Sequence, residues 1–304
     1  MVESRGINPV FFVLSAVLLW STGGLLIKLT DGHMDAYQVT FFRSLFAALT
    51  VLIVTRKDGL KINGFGIVNS VIYAVLLFLF VWATKKTTAL NAIFLQYTAP
   101  IYILILAPFV IGEKFHWRDL VTVVIVLAGM SLFFVGNLRP EDYQGNIAAL
   151  FSGIFLGLYI MLLKHPRVEG PPRLVADDKY KPLNPAIAVI YGNFLLAAVT
   201  APSGIAAIPT MMPMDWFAVT FLGIVQIGIS YILFIKGVRG GTRPLDASLI
   251  GFIEPLLNPV WVFVFVGERP SQWALLGGVI IIAAIAFHTI RQYVRREPTP
   301  SEAL

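Results

Sequence analysis

The sequence lacks cysteine and has few charged residues, and both deficits limit what the protein can be. None of its 304 residues is cysteine, which excludes disulfide bonds, thiolate metal sites and cysteine nucleophiles. Only 13% of the residues are charged, well below the level of soluble domains. The mean hydropathy is +0.79, and 57% of the residues are hydrophobic. Because a soluble core of this length cannot bury so much apolar surface, the composition predicts a membrane protein.

Motifs of nucleotide binding and of hydrolysis are missing as well. There is no phosphate loop G-x-x-x-x-G-K-[ST], no G-x-G-x-x-G fingerprint, and neither an H-E-x-x-H nor a G-x-S-x-G motif. Four histidines stand near the ends of apolar segments without the spacing of metal ligands: His33, His116, His165 and His288. We therefore predict no cofactor, no metal and no catalytic residue, and we do not expect ATP-driven transport by this chain alone.

The net charge of +6 does not indicate a nucleic-acid partner, because the basic residues are spread over short segments between apolar runs. The apolar runs predict ten transmembrane spans, near 9–29, 36–55, 65–84, 90–111, 118–137, 145–164, 185–203, 215–236, 245–266 and 271–291. The first run is interpreted as a span rather than a signal peptide, because it is long and lacks a small-residue cleavage site. The seventh span has the least defined end, since Pro202 and Gly204 interrupt it.

The distribution of lysine and arginine predicts the orientation of these spans. With a cytoplasmic N-terminus, 17 of the 23 basic residues lie in inner segments, five lie in outer segments, and Arg43 lies within a span. Since basic residues accumulate on the cytoplasmic side, we expect both termini in the cytoplasm. The prediction is a multi-pass protein of a bacterial-type inner (plasma) membrane.

Two segments, 90–114 and 245–269, resemble each other at a constant offset of 155 residues. At this offset Pro100 matches Pro255, and the pair Gly112-Glu113 matches Gly267-Glu268. We therefore predict two repeats, 1–139 and 140–304. Because five spans is an odd number, the second repeat must enter the membrane from the opposite side. Inverted repeats are typical of transporters, whose two halves exchange conformations around one central site.

Several motifs resemble the EamA repeat of the drug/metabolite transporter superfamily. They are Gln-Tyr-Thr-Ala-Pro at 96–100, the two Gly-Glu pairs, Glu254-Pro255, Leu-Trp-Ser-Thr-Gly-Gly at 19–24 and Phe-Arg-Ser at 42–44. The resemblance covers nearly the whole chain. It implies ten helices, a central cavity between the halves, and export or exchange of small metabolites such as amino acids, without naming one substrate. The loop 164–184 is long for this family, and we assign no role to it.

Glu254 is the only acidic residue deep inside a predicted span. It lies roughly 14 Å from the start of the ninth span, near the middle of the bilayer. An ionisable residue at this depth is expected to be functional, because an unpaired charge in hydrocarbon is costly. It could exchange a proton during transport or pair with an amino group of the solute. A structural role also stays open, in which a protonated Glu254 compensates the hydrogen bond that Pro255 removes from the carbonyl of Gly251.

Arg43 is the only basic residue deep in a span, roughly 10 Å below the outer surface. Its guanidinium suits bidentate pairing with a carboxylate, either that of Glu254 or that of a solute. Two structural alternatives stay open. Arg43 could bond to backbone carbonyls at a helix contact, or it could extend outward to the interface.

Prolines in the middle of spans predict kinked helices, which line the solute site in many transporters. Pro100 and Pro255 share one repeat position, and Pro259 follows Pro255 by one helical turn. Two related kinks that face each other would frame a cavity. On the sixth span, Gly153 and Gly157 form a G-x-x-x-G motif that predicts close helix packing.

Polar and aromatic residues within the spans are further candidates for the cavity wall, because amide and hydroxyl groups in a bilayer need partners. We select Trp20, Gln96, Tyr97, Tyr159, Gln226 and Asn258. Tryptophans nearer to span ends are more typical of interfacial belts. This group contains Trp82, Trp117, Trp216, Trp261 and Trp273.

These features together predict an all-α integral membrane transporter with ten spans in two inverted five-helix repeats around a central cavity. It would move a small organic metabolite, an amino acid or a related amphipathic solute, by alternating access and in the direction of export. Its partners would be that solute, the lipid bilayer and, for coupling, protons. One alternative is a multidrug or organic-cation exporter with Glu254 as the counter-charge. An integral-membrane enzyme would cluster His, Asp, Glu or Arg at one interface, and a scaffold or receptor would not need inverted repeats.

Overall fold

The described part of the chain consists of helices and connecting turns. A computed structural model describes residues 8–132, 135, 142–165, 168, 183–266 and 271–295. The helices are α1a Pro9–Trp20, α1b Gly23–Lys28, α2 Ala36–Thr55, α3 Gly64–Lys86, α4a Ala89–Gln96, α4b Ala99–Val110, α5 Trp117–Ser131, α6 Tyr143–Leu162, α7 Ile187–Ala207, α8 Pro213–Arg239, α9a Pro244–Ile250, α9b Ile253–Val266 and α10 Gln272–Arg295. Short 3₁₀ turns follow α2 at Arg56–Asp58 and α7 at Ile208–Thr210.

Eight of these helical stretches are long and apolar enough to cross a membrane. They are α1, α2, α3, α4, α6, α7, α8 and α10. The predicted fifth and ninth spans correspond to α5 and α9, and the fifth, 118–137, includes residues outside the described ranges. The chain is therefore an all-helical, multi-pass membrane protein with eight to ten candidate spans.

The outer surface of the helices is strongly apolar. Phe109 is 85% exposed, and Phe287 and Val199 are each 68% exposed. Water would disfavour so many exposed apolar side chains, whereas lipid tails solvate them. The most peripheral stretch is α10, which packs mainly on α5.

Polar caps set where several helices begin. The Asp35 carboxylate accepts a hydrogen bond from the backbone N–H of Gln38 at 2.8 Å, and the Gln38 side chain accepts one from the backbone N–H of Asp35 at 2.9 Å. This capping box starts α2 at Ala36, the predicted residue. By contrast, the end of α7 differs from the prediction: the helix continues through Pro202 to Ala207, four residues past its predicted end. A membrane helix can pass through a proline, because neighbouring groups take up the carbonyl that the proline leaves unbonded.

Three helical stretches are broken near the middle of the protein. The breaks lie at Ser21-Thr22, Tyr97-Thr98 and Gly251-Phe252, and α8 contains a π-helical segment, Leu222–Ile229. Pro100 and Pro255 lie in the first turns of α4b and α9b, where a proline sacrifices no helical hydrogen bond. These prolines thus stand just after complete breaks in the helices, whereas the sequence predicts kinks within continuous helices. The side chain of Pro259 lies outside the described residues.

The glycines of α6 let it pack closely on the break of α4. A Cβ atom on Gly153 would lie 2.7 Å from the carbonyl oxygen of Gln96, and one on Gly157 would lie 3.1 Å from that of Ala99. The close packing predicted from the G-x-x-x-G motif is confirmed. Since these contacts involve backbone atoms, they fix where the broken helix α4 stands beside α6.

Candidate functional site

A narrow cleft lies at the centre of the protein, beside the breaks of α4 and α9. Its free volume is about 30 Å³, room for about two water molecules, and all of its lining side chains are buried. The lining consists of Trp20, Arg43, Leu77, Phe80, Gln96, Tyr97, Leu156, Gln226, Ile227, Tyr231 and Glu254. The cleft thus brings together six of the eight candidate binding residues, from both ends of the sequence.

Arg43 reaches this cleft from α2 and is almost completely buried, with 1% of its surface exposed. Among the residues that the structure describes, its Nη1 atom has no hydrogen-bond partner. The side chain therefore does not extend outward to the interface. The backbone at Arg43 is tightly packed, because a Cβ atom on Gly223 of α8 would lie 2.7 Å from the Arg43 carbonyl oxygen. Arg43 is a fixed, buried cation that faces the cleft.

Glu254 lines the same cleft from the first turn of α9b and is 4% exposed. Its Oε2 atom accepts a hydrogen bond of 2.7 Å from the hydroxyl of Tyr97. The carbonyl of Gly251 accepts a bond from the backbone N–H of Glu254 at 2.9 Å. The Gly251 carbonyl is therefore bonded by the backbone N–H of Glu254. The structural alternative expects the protonated Glu254 carboxyl to make this bond. The carboxyl itself is aimed at Tyr97 and the cleft.

The two helix breaks pack against each other and position Tyr97. The rings of Tyr97 and Phe252 lie 5.2 Å apart, centroid to centroid. A Cβ atom on Gly251 would lie 2.5 Å from Cε1 of Tyr97 and 3.1 Å from its hydroxyl. Only glycine leaves room for the Tyr97 ring here, and that ring carries the hydroxyl that holds Glu254.

Aromatic rings form a wall beside the two charges. The centroid of Tyr73 lies 5.0 Å from that of Tyr159 and 4.9 Å from that of Tyr231. Trp20 packs on Tyr231 and Phe234, each at 4.9 Å. Tyr231 lines the cleft together with Arg43 and Glu254, and in the described part of the structure no ion pair joins these two charged residues. All three side chains therefore share one cleft.

Several buried polar atoms around the cleft have no hydrogen-bond partner among the described residues. They are Nε1 of Trp20, Nη1 of Arg43, Oη of Tyr159 and Oε1 of Gln226. The Gln226 amide makes one long bond, from Nε2 to the carbonyl of Trp20 at 3.4 Å. An unsatisfied buried polar atom costs about 1–3 kcal/mol. Trp20, Arg43 and Gln226 line the cleft, so two donor groups and one acceptor are available there to bind a polar molecule, whereas the Tyr159 hydroxyl lies behind the wall.

Gln96 and Tyr159 differ from the other candidates. Gln96 lines the cleft, but its Nε2 donates to Oγ of Ser152 at 2.6 Å, and Ser152 donates to the carbonyl of Leu76 at 3.1 Å. Its amide N–H is thus used in joining α4 to α6 and α3. Tyr159 lies behind Tyr73 and Tyr231 and does not line the cleft. The eighth candidate, Asn258, has a side chain outside the described residues.

Three aromatic residues have roles in the structure that the sequence does not predict. Tyr73 and Tyr231 are polar aromatic residues within predicted spans, but they are not among the residues selected for the cavity wall. Trp261 is wrongly assigned to the interfacial belt. Its Nε1 donates to Oγ of Ser21, at the break of α1, at 3.0 Å. This bond joins α9b to α1 inside the protein.

Within the described ranges, no group of three or more His, Asp or Glu side chains is arranged to hold a metal ion. The chemistry of the cleft is that of a cation, a carboxyl group and aromatic rings. It can bind an organic molecule that carries both polar groups and apolar surface.

A multi-pass helical membrane protein with a buried, charged cleft between broken helices belongs to the class of membrane transporters. The chain is a member of the EamA-like transporter family, which matches residues 7–135 and again residues 143–290. The family, and the names of the relatives, indicate a transporter and not an enzyme.

Relatives and a solved structure match along nearly the whole chain. A transporter of Archaeoglobus fulgidus is 26% identical over 288 residues, which cover 91% of this chain and 96% of that protein. The biotin transporter of Salmonella typhimurium is 23% identical, with coverages of 94% and 97%. The pseudopaline exporter CntI of Pseudomonas aeruginosa is 20% identical, with coverages of 91% and 94%. A crystal structure with 20% sequence identity covers 95% of this chain and 99% of its own, with a TM-score of 0.72, and therefore shares its fold.

Proposed function

We propose that this transporter moves a small amphipathic solute with a carboxylate and an amino group, such as an amino acid, through the central cleft. One observation carries the proposal. Arg43 and Glu254, two buried and oppositely charged residues, line the same cleft without pairing with each other. A zwitterionic solute supplies a partner for each of them.

Arg43 is the proposed receptor for the carboxylate. A buried guanidinium with a free Nη1 can form a bidentate pair with a carboxylate, and this pair is among the strongest polar contacts in proteins. Tyr231 lines the same cleft and offers a hydroxyl to this anion. The free Nε1 of Trp20 adds a further donor at the cleft.

Glu254 is the proposed receptor for the amino group and the site of proton exchange. In the empty cleft its carboxyl is held by the Tyr97 hydroxyl. An arriving ammonium group can replace that bond by a charged one. When the solute leaves, a proton can take its place on Glu254, because a carboxylate without a cation is costly in a buried cleft. Transport coupled to protons follows from this exchange.

We further propose that two inverted five-helix repeats, 1–139 and 140–304, enclose the cleft and open it alternately to either side. The family match occurs twice, once in each proposed half. The breaks of α4 and α9 fall within one residue of equivalent positions at the offset of 155, and Tyr97 and Phe252, whose rings pack together, are themselves such a pair. Ten spans with both termini in the cytoplasm agree with the distribution of basic residues.

The proposed direction is export across a bacterial-type inner membrane. One relative bears the name of an exporter, whereas the biotin transporter's name gives no direction. The empty cleft is too narrow for an organic solute, so the walls must separate for a solute to enter. Alternating access provides this separation.

An exporter of organic cations is the second candidate, with Glu254 as the counter-charge. The buried, unpaired Arg43 disfavours it, because a purely cationic solute would meet a like charge in the same cleft. A solute with its own carboxylate removes this conflict.

The test is uptake of labelled amino acids into liposomes that contain the purified protein, with and without a pH gradient. We expect flux of at least one amino acid for the wild type, and loss of both flux and pH dependence for Glu254→Gln. Asp58→Asn is the matched control, because it removes the same charge from an exposed turn far from the cleft. No flux of any amino acid would contradict the solute class, and normal, pH-dependent flux of Glu254→Gln would remove Glu254 from the mechanism.

A further inference from the structure

A second charged cluster lies at the far end of α4b and α9a from the cleft. Its centre is Arg243, directly before α9a. The Arg243 guanidinium donates from Nε to Glu113, and from Nη2 to Oδ2 of Asp119 at 2.9 Å. Its Nη1 lies 3.9 Å from Oδ1 of Asp246. We call Glu113, Asp119, Arg243 and Asp246 the inner cluster.

The inner cluster joins elements from both proposed repeats. Glu113 follows α4b, and Asp119 lies in the first turn of α5. Arg243 and Asp246 belong to the start of α9a. From α10, Nε2 of His288 lies 3.0 Å from Oδ1 of Asp246, and its Nδ1 lies 3.2 Å from Oγ1 of Thr122 on α5. One arginine therefore ties the ends of three helices together, and a histidine connects the fourth.

The electrostatics favour a permanently charged Arg243. Partial burial lowers the pKa of its guanidinium, but Asp246, Asp119 and Glu113 outweigh this effect and raise the pKa above its ordinary value. The two bonds to Glu113 and Asp119 are thus charge-assisted and cross from one proposed repeat to the other. Separation of α9a from α4b and α5 requires that both be broken.

An apolar layer lies between the inner cluster and the cleft. The cleft residue Tyr97 precedes α4b, and the cluster residue Glu113 follows it. On α4b between them, Ile103 and Leu104 are buried and line a small gap together with Leu245 of α9a. A solute that travels from the cleft along these helices meets first the apolar layer and then the charges.

We infer that the inner cluster is the inner gate of the transport path, with Arg243 as its closing residue. The inference rests on the proposed function and orientation, in which this end faces the cytoplasm. Opening the gate breaks the bonds of Arg243 to Glu113 and Asp119. The contact with Asp246, on the same helix, moves with Arg243 and keeps its charge partly compensated when the gate is open.

Cysteine accessibility tests the gate without a known solute, because the chain has no native cysteine. Leu104→Cys places a thiol in the apolar layer, and a membrane-impermeant maleimide is added from the cytoplasmic side. In this background we expect Arg243→Gln to speed labelling about tenfold, the factor that corresponds to about 1.4 kcal/mol in the closing equilibrium. Arg243→Lys should give an intermediate rate. Arg239→Gln is the matched control and should change nothing, because Arg239 bonds the carbonyl of Val168 and not the cluster.

A cross-link provides the second arm. The double variant Asp119→Cys/Arg243→Cys is joined by a short, reducible bifunctional thiol reagent, and labelled amino-acid flux is measured in liposomes. We expect the cross-link to stop flux and a reductant to restore it.

Two results would overturn the gate. One is an equal labelling rate of Leu104→Cys with and without Arg243→Gln, in samples that gel filtration shows to be equally well folded. The other is full flux of the cross-linked protein. If the wild type moves no amino acid, the proposed function fails, and the labelling arm alone decides the gate.

Discussion

Two arginines of this protein have opposite environments, and the difference indicates their roles. Arg43 is 1% exposed and has no ion-pair partner among the described residues. Arg243 has a side chain that is 25% exposed and three carboxylates within 4 Å. A buried charge without a partner costs several kcal/mol, whereas a paired charge at the edge of the protein costs little. Arg43 therefore lowers the stability of the empty protein, and we propose that it is kept because it binds the solute.

The same contrast holds for the carboxyl groups. Glu254 has one neutral partner, the hydroxyl of Tyr97, whereas Asp119 has the guanidinium of Arg243. The central cleft is incomplete in its polar contacts, and the inner cluster is complete in itself. In the cleft, a substitution should therefore weaken solute binding without lowering stability. In the inner cluster, a substitution should change both the opening of the gate and the stability.

The largest effect is expected for Arg43→Met. It should lower amino-acid flux by about 100-fold, because a lost bidentate ion pair is worth about 3 kcal/mol in binding. It should also raise the thermal midpoint of the purified protein, since it removes an unpaired buried charge. Flux in liposomes and unfolding in detergent measure the two effects. A variant that is both less stable and inactive would indicate a structural role for Arg43.

Arg243→Met should have the opposite effect on stability. It leaves Glu113 and Asp119 without their cation, and we expect the free energy of unfolding to fall by about 2 kcal/mol. The measurement is the same thermal unfolding in detergent, run beside Arg43→Met. An unchanged midpoint would show that the inner cluster does not hold the helices together.

Gly251→Ala should reduce flux about tenfold, because the added methyl group displaces the Tyr97 ring from Glu254. Gly278→Ala is the matched control, since its nearest neighbour would be Cδ2 of Leu256 at 3.5 Å, an ordinary contact. Equal flux in the two variants would contradict the proposed positioning of Glu254 by Tyr97.

Tyr97→Phe should have a smaller effect, about three- to tenfold on flux, because it removes one hydrogen bond worth about 1 kcal/mol and keeps the ring. Flux is measured at several pH values. If Tyr97→Phe behaves as the wild type at every pH, the bond between Tyr97 and Glu254 has no part in transport.

The smallest effect concerns pH. Because the folded protein raises the pKa of Arg243, the stabilisation by its ion pairs is fully present below the ordinary pKa of arginine and is lost only at higher pH. The difference in stability between the wild type and Arg243→Met should therefore stay constant from about pH 7 to about pH 10. A difference that shrinks toward pH 10 would show that Arg243 loses its proton.

The helices could be predicted from the sequence more completely than the site. The second span begins at Ala36 both in the prediction and in the structure, because a capping box directly precedes an apolar run of bilayer length. The positions of the helix breaks could not be predicted to the residue, since a proline permits either a kink within a helix or a fresh start.

The cleft could be predicted only in part. Arg43 and Glu254 stand out because charges within apolar runs are rare. Tyr231 and Trp261 do not, because the face that a helical residue presents depends on packing against distant segments. The role of Arg243 is hidden for the same reason: its partners Asp119 and Glu113 lie more than 120 residues away in the chain.

The most direct test of the central cleft is ligand-induced stabilisation with matched solutes. Thermal unfolding of the wild type, Arg43→Met and Glu254→Gln is followed with each amino acid, its amide, which lacks the carboxylate, and its N-acetyl derivative, which lacks the amine. A ligand at about 100 times its Kd stabilises the folded state by about 2.7 kcal/mol. We predict that a free amino acid raises the midpoint of the wild type only, and that neither derivative does so. Equal stabilisation by the derivatives, or an undiminished response of Arg43→Met, would contradict the account.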